Sequence, residues 1–117
     1  MESRRRTGAR YEELAAEYLE EKGYVILERN FRCRSGEIDL IARIQDQIVF
    51  VEVKYRSGNG KGSPEEAVDR RKQRTISRCA LFYLTRHPDV KQQVRFDVIA
   101  ISDMEIRHYE HAFEYID

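Results

Sequence analysis

Asp39, Glu52 and Lys54 are the residues whose types and spacing carry the most chemistry. Residues 48–55 alternate as a strand, with Val49, Val51, Val53 and Tyr55 on one face and Phe50, Glu52 and Lys54 on the other. In the run before it, Ile38, Leu40 and Ala42 share a face, leaving Asp39 and Ile41 on the other. Gln45, Asp46 and Gln47 suit a hairpin whose register brings Asp39 beside Glu52. Two carboxylates held close on a partly buried sheet face repel one another, so the arrangement calls for a proton, a cation or both. Oxygen-only ligands favour a hard divalent ion, Mg2+ or Mn2+. Such an ion acidifies a bound water and neutralises charge developing on a phosphoryl oxygen, while Lys54 orients or activates the water. That is the chemistry of phosphodiester hydrolysis. The same spacing also fits an exposed strand face with a cross-strand lysine–glutamate pair.

Two helices must deliver the remaining groups. Tyr11, Leu14, Ala15, Tyr18 and Leu19 follow the spacing of one helix face over residues 7–22, and Gly23 stands where a left-handed C-terminal cap belongs. Glu12 lies about 100° from Tyr11 on the helical wheel, at the edge of that face near Leu19, while Glu13, Glu17 and Glu20 point away. Only Glu12 among these acids can reach a buried site. A second, long helix is expected to start at Ser63, with Pro64 at its first position and Glu66 completing a capping box, and to end before Pro88. Its apolar stripe of Val68, Ile76, Cys79 and Tyr83 contains Lys72, a cation where a core residue is expected unless its ammonium snorkels to water.

The other strands are expected at residues 24–27 and 94–101, with an edge strand at 105–109; residues 31–36 read as a turn-rich connection. Strand, long helix and strand in succession favour a right-handed crossover to a parallel neighbour. The fold class is therefore α/β, a mixed sheet flanked by helices with an αβββαβ core. The 117 residues suffice for one domain with one core, residues 1–117, and not for two.

Charge separates along the chain. Lysine and arginine total 21 and aspartate and glutamate 21, yet residues 54–78 hold eight basic and three acidic groups, and residues 103–117 hold five acids and one arginine. A polyanion fits the basic middle, with Arg56, Lys61 and Lys72 as candidate nucleic-acid contacts. The glycine-rich residues 57–62 are not a nucleotide triphosphate loop, because Lys61 is followed by glycine where serine or threonine is required. His108 and His111, three apart in a strand, read as surface residues on opposite faces. The longest apolar run, residues 79–84, is six residues, far short of a membrane span. Polar helical sequence follows Arg4, Arg5 and Arg6 where a signal peptide would be apolar, so a cytoplasmic location is expected. Cys33 and Cys79, the only cysteines, are too few for a disulfide framework and are expected as reduced thiols.

Gly36-Glu37-Ile38-Asp39-Leu40-Ile41 followed by Phe50-Val51-Glu52-Val53-Lys54 resembles the signature of the small bacterial YraN family. Members of that family resemble Holliday-junction resolvases and restriction-endonuclease-like PD-(D/E)xK nucleases. Glu12 with Leu14, Ala15 and Ala16, Gly23-Tyr24, Arg29-Asn30, Lys72 and Arg95-Phe96-Asp97-Val98 extend the match over most of the chain. The resemblance implies a restriction-endonuclease-like fold, Asp39 and Glu52 as metal ligands with the Val53 carbonyl as another, and Lys54 as the catalytic lysine. Glu12 matches the extra helix-one acid of the resolvase-like branch. Its implied cofactor is Mg2+ or Mn2+ and its implied partner is DNA rather than RNA, structured or branched. A resolvase-like action would require a homodimer, because a symmetric double cut needs two sites related by a twofold axis. Two rivals predict otherwise. A binding module of the same fold keeps DNA affinity after Asp39→Ala without cleaving, and a protein-interaction adaptor shows neither metal binding nor salt-dependent DNA affinity.

Overall fold

The computed structural model describes residues 4–56, 68–88, 93–103 and 105–117. Helix α1 (Arg4–Glu21) leads into strands β1 (Val25–Cys33), β2 (Gly36–Ile44) and β3 (Gln47–Tyr55); helix α2 (Arg70–Thr85) precedes β4 (Gln93–Ile101) and β5 (Ile106–Phe113). The five strands form one sheet in chain order, with β3 and β4 parallel and the other neighbours antiparallel. The mixed α/β architecture and the parallel crossover are those expected from sequence. No described helix is long and apolar enough to cross a membrane.

Each helix covers one face of the sheet. Ala15, Ala16 and Leu19 of α1 pack on Leu40, Ala42, Val49, Val51, Ile99 and Ile101. Ile76, Cys79, Ala80 and Tyr83 of α2 pack on Ile38, Ile41, Ile48, Phe50, Phe96 and Val98. Leu14, expected in the core, is exposed, and Ala16 takes its place. The buried stripe is therefore rotated towards Glu12, which stands one turn before Ala16 and in line with Leu19. Gly23 holds φ 95° and closes the helix as expected, its N–H donating to the Glu20 carbonyl while that of Tyr24 donates to Leu19.

Three expectations need correction. Residues 31–33 are strand, because Phe31 and Cys33 reach the α2 core while β1 pairs with β2 down to Cys33↔Gly36. Helix α2 begins at Arg70, capped by Asp69, whose side chain accepts from the Lys72 N–H; the Ser63 cap, the glycine-rich stretch and Lys61 lie outside the described residues. Ile38 shares a core with Ile41 instead of a face with Leu40 and Ala42, so β2 loses its alternation at Asp39.

Gly36 ties the β1–β2 turn to α2. Its φ is 153°, and a Cβ there would lie 2.5 Å from Thr75 Cγ2. Gly36→Ala is expected to destabilise the fold by about 1–3 kcal/mol through that overlap and the strained backbone. In urea unfolding, Thr75→Ser should recover the overlap part; equal losses with and without it would show that only the backbone matters.

Candidate functional site

The antiparallel ladder of β2 and β3 runs from Ile44↔Gln47 to Leu40↔Val51 and stops. One step further, Asp39 and Glu52 face each other where the ladder has opened, and β2 continues against β1 while β3 continues against β4. The sheet thus forks at the two carboxylates. The Asp39 side chain bridges the fork, with Oδ2 accepting the Val53 N–H at 2.8 Å. A strand residue directs its N–H and C=O to the same edge, so the Val53 carbonyl also points into the fork, beyond the end of the ladder.

Glu52 is only 4% exposed and hydrogen-bonds Asp39. Burial first, and the Asp39 carboxyl second, hold its pKa well above the usual carboxylate range despite two nearby lysines. Lys72 Nζ lies 3.4 Å and Lys54 Nζ 3.9 Å from Glu52 Oε2. Lys72 therefore turns out of the α2 stripe towards the fork. Burial lowers its pKa, but the charge and hydrogen bond of Glu52 together with the Asp39 and Glu37 charges outweigh this and raise it overall. Tyr11 stacks on Tyr55 with ring centroids 4.3 Å apart, which seats α1 beside the end of β3 and sets Glu12 over the fork. Glu12 hydrogen-bonds Asn30 and Asp39.

Asn30, on β1, was not singled out as a site residue. It sits between the pairs Arg29↔Leu40 and Phe31↔Ile38, opposite Asp39, with φ 52°. Asparagine tolerates that conformation, and its polar surroundings, Glu28 and Arg29 before it and Arg32 after it, give no periodic signal of a buried site. Arg56, just past the end of β3, donates its N–H to the Ile101 carbonyl at 2.8 Å and is half-buried. A cleft of about 330 Å³ lined by Lys54, Asp69, Arg71, Lys72 and Thr75 opens on the α2 side. A smaller one of about 170 Å³, lined in part by Glu12, Asn30 and Leu40, opens on the α1 side.

The donor set suits a hard divalent ion: two carboxylates and the Val53 carbonyl, all oxygen, with burial favouring the protonated form of Glu52 in the ion's absence. Among the described residues no group of three acid, histidine or cysteine side chains is arranged to hold a metal. Such a site leaves most positions to water, as Mg2+ prefers.

Glu12 gives the site a pH signature. Burial, then the Asp39 charge, raise its pKa from 4.5 to about 7. A folded-state pKa above the unfolded one means that stability is greatest while Glu12 is protonated and falls as pH rises from 4.5 through 7. In EDTA, the wild type is expected to be less stable to urea at pH 8 than at pH 5, and Glu12→Gln to lose less over that interval. Identical losses would remove Glu12 from the account.

A second polar cluster lies on the α1 face. Asp97 is fully buried and takes two bonds from Arg95 (Nε and Nη2, both 2.8 Å), one from the His111 N–H (3.0 Å) and a 2.6 Å contact from His108 Nε2. Arg95 also donates to Tyr24 Oη at 2.7 Å and to Gln47 Oε1 at 2.8 Å. The expectation that His108 lies on the surface is corrected, since its side chain is 7% exposed, whereas His111 is exposed as expected. His108 stands opposite Ile99 in the regular part of the β4–β5 ladder and so shares the α1-covered face with Ile99 and Ile106, while the register slip and the φ of 54° at His111 fall beyond it.

The uncharacterised protein family UPF0102 matches residues 11–101. A UPF0102 protein of Persephonella marina is 48% identical over 107 residues, spanning 92% of each chain. One of Syntrophus aciditrophicus is 55% identical over 97 residues, 83% of this chain and 76% of the relative. One of Geobacter sulfurreducens is 50% identical over 112 residues, 92% of this chain and 88% of the relative.

Proposed function

The chain belongs to the uncharacterised protein family UPF0102, and on that premise we propose that it hydrolyses phosphodiester bonds in DNA, as a metal-dependent endonuclease of the PD-(D/E)xK kind that YraN proteins resemble. The observation that carries this reading is the buried Asp39–Glu52 pair at the fork, flanked by Lys54 and Lys72. A buried acid pair held only for stability would be an expensive choice, because hydrophobic residues of similar volume do as well or better.

Asp39, Glu52 and the Val53 carbonyl would hold the ion. When bound, Mg2+ or Mn2+ supplies Lewis acidity towards a phosphoryl oxygen and a more acidic water. Lys54 stands beside Glu52 and would offer its N–H groups to the attacking water and to charge developing on a phosphoryl oxygen. Lys72 holds Glu52 from the α2 side, and with Lys54 and Arg71 lines a cleft suited to an anionic backbone. Glu12 braces Asp39 from α1 and takes or gives a proton near neutral pH. Arg56, just past the end of β3, would be a further phosphate contact, and Lys61 remains a candidate from the sequence alone, each such contact steepening the salt dependence of binding.

The test is incubation of the purified chain with labelled linear, flapped and four-way-junction DNA in Mg2+, Mn2+ or EDTA. Metal-dependent scission is expected, with the preferred substrate defining the class and a dimer in solution expected if the four-way junction is cut symmetrically. Salt-sensitive binding without scission would establish a binding module instead, and neither would point to a protein partner.

A further inference from the structure

We propose that Cys33 and Cys79 form a reversible disulfide under peroxide, a covalent brace between β1 and α2. The two sulfurs lie 2.7 Å apart although separated by 46 residues in sequence. Both thiols are free in this structure. Closing a disulfide requires a sulfur–sulfur distance of about 2.05 Å, so only a small further approach is needed. Their juxtaposition is fixed by the fold: Cys33 pairs with Gly36 in the β1–β2 ladder, and Gly36 is pressed against Thr75, one helical turn before Cys79.

The two thiols differ as attacking and resolving partners should. Cys33 is half-buried at the strand end, whereas Cys79 is fully buried. Burial pushes the Cys33 thiol up, but hydrogen bonds from Cys79 and from the Ser35 and Gly36 backbone outweigh it and leave the pKa below its ordinary value. Burial, with the neighbouring Cys33, pushes Cys79 to about 12. Of the two, the accessible Cys33 sulfur is therefore the one that ionises more readily.

The chemistry balances with hydrogen peroxide as the oxidant. The Cys33 thiolate attacks one peroxide oxygen, the O–O bond breaks, and hydroxide leaves to become water, giving a sulfenic acid. That product is neutral, so the repulsion that Cys33 imposed on Cys79 disappears. Cys79 sulfur then attacks Cys33 sulfur, the S–O bond breaks, and the departing hydroxide takes the Cys79 proton as a second water. Two thiols lose two electrons and two protons, and one peroxide becomes two waters. The proposal is independent of the endonuclease reading, because it needs neither metal nor DNA.

The experiment treats the reduced full chain with hydrogen peroxide, followed by intact mass measurement and non-reducing peptide mapping. Expected are the loss of two hydrogens, a single Cys33–Cys79 linked peptide pair, reversal by dithiothreitol, and a melting temperature raised by roughly 5–15 °C. Cys79→Ala should halt the sequence at a Cys33 sulfenic acid that dimedone labels. Two free thiols after peroxide, Cys33 driven to sulfinic acid beside a free Cys79, or links only between chains would overturn the proposal. If Cys79→Ala does not fold, the wild-type peptide map alone decides.

Discussion

Lys54→Ala is expected to slow DNA cleavage by roughly 10²–10⁴-fold while leaving divalent-ion affinity nearly unchanged, whereas Asp39→Asn should abolish both. The separation follows from where the groups stand. Lys54 is partly exposed at the mouth of the α2-side cleft and 3.9 Å from Glu52, placed to serve the water and the phosphate. Asp39 instead spans the fork from Val53 N–H to Glu52 and would supply one of the two carboxylates of the proposed ion site. Removing its charge should reduce the rate by on the order of 10³ or more, the equivalent of several kcal/mol of transition-state stabilisation. Single-turnover cleavage alongside Mn2+ titration checks the pair of variants. Equal effects of both substitutions on ion affinity would place Lys54 in the binding set and not in the chemistry.

The largest effect on stability is expected at Asp97. Asp97→Ala leaves the Arg95 guanidinium and His108 without their buried acceptor and is expected to destabilise the fold by about 3–5 kcal/mol. Burial alone would raise the Asp97 pKa, but the bonds from His108, Arg95 and the His111 N–H outweigh it and set it below its ordinary value. A folded-state pKa below the unfolded one gives stability that is present above the unfolded value of 3.8 and is lost as pH falls through the folded one. Acid unfolding below pH 4 is thus expected to weaken the wild type, and Asp97→Asn, which keeps the shape without the charge, to be flatter there. This slope is opposite in sign to that of Glu12, so the two carboxyls are distinguishable by urea unfolding across pH. An Asp97→Ala variant as stable as the wild type would mean that Arg95 and His108 find other partners.

The parts of the site carried by strand alternation were legible in the sequence. Glu52 and Lys54 share a face of β3, and a lysine in the apolar stripe of α2 pointed correctly to an unusual environment for Lys72. Other features depend on departures from regular periodicity, which residue spacing does not encode. Asp39 interrupts the alternation of β2, so Ile38 packs towards α2 although it stands only two positions before Leu40, which packs on the opposite face. Asn30 in a left-handed conformation lets β1 continue through what reads as a turn. Helix α1 is rotated so that Ala15 and Ala16, both without exposure, allow close approach to the sheet, which moves Glu12 from the edge of the buried stripe into its line. The Arg95–Asp97–His108 network spans β4 and β5 across a register slip, and the Cys33–Cys79 contact joins a strand to a helix. Neither leaves a periodic trace.

The most direct test of the account is a calorimetric titration of Mn2+ into metal-free wild type and Asp39→Asn near neutral pH, in two buffers of different ionisation enthalpy. An ion displacing the proton that burial favours on Glu52 should bind with proton release, and Asp39→Asn should lose the site. Absence of binding to the wild type, or equal binding to both proteins, would contradict a metal site at the fork.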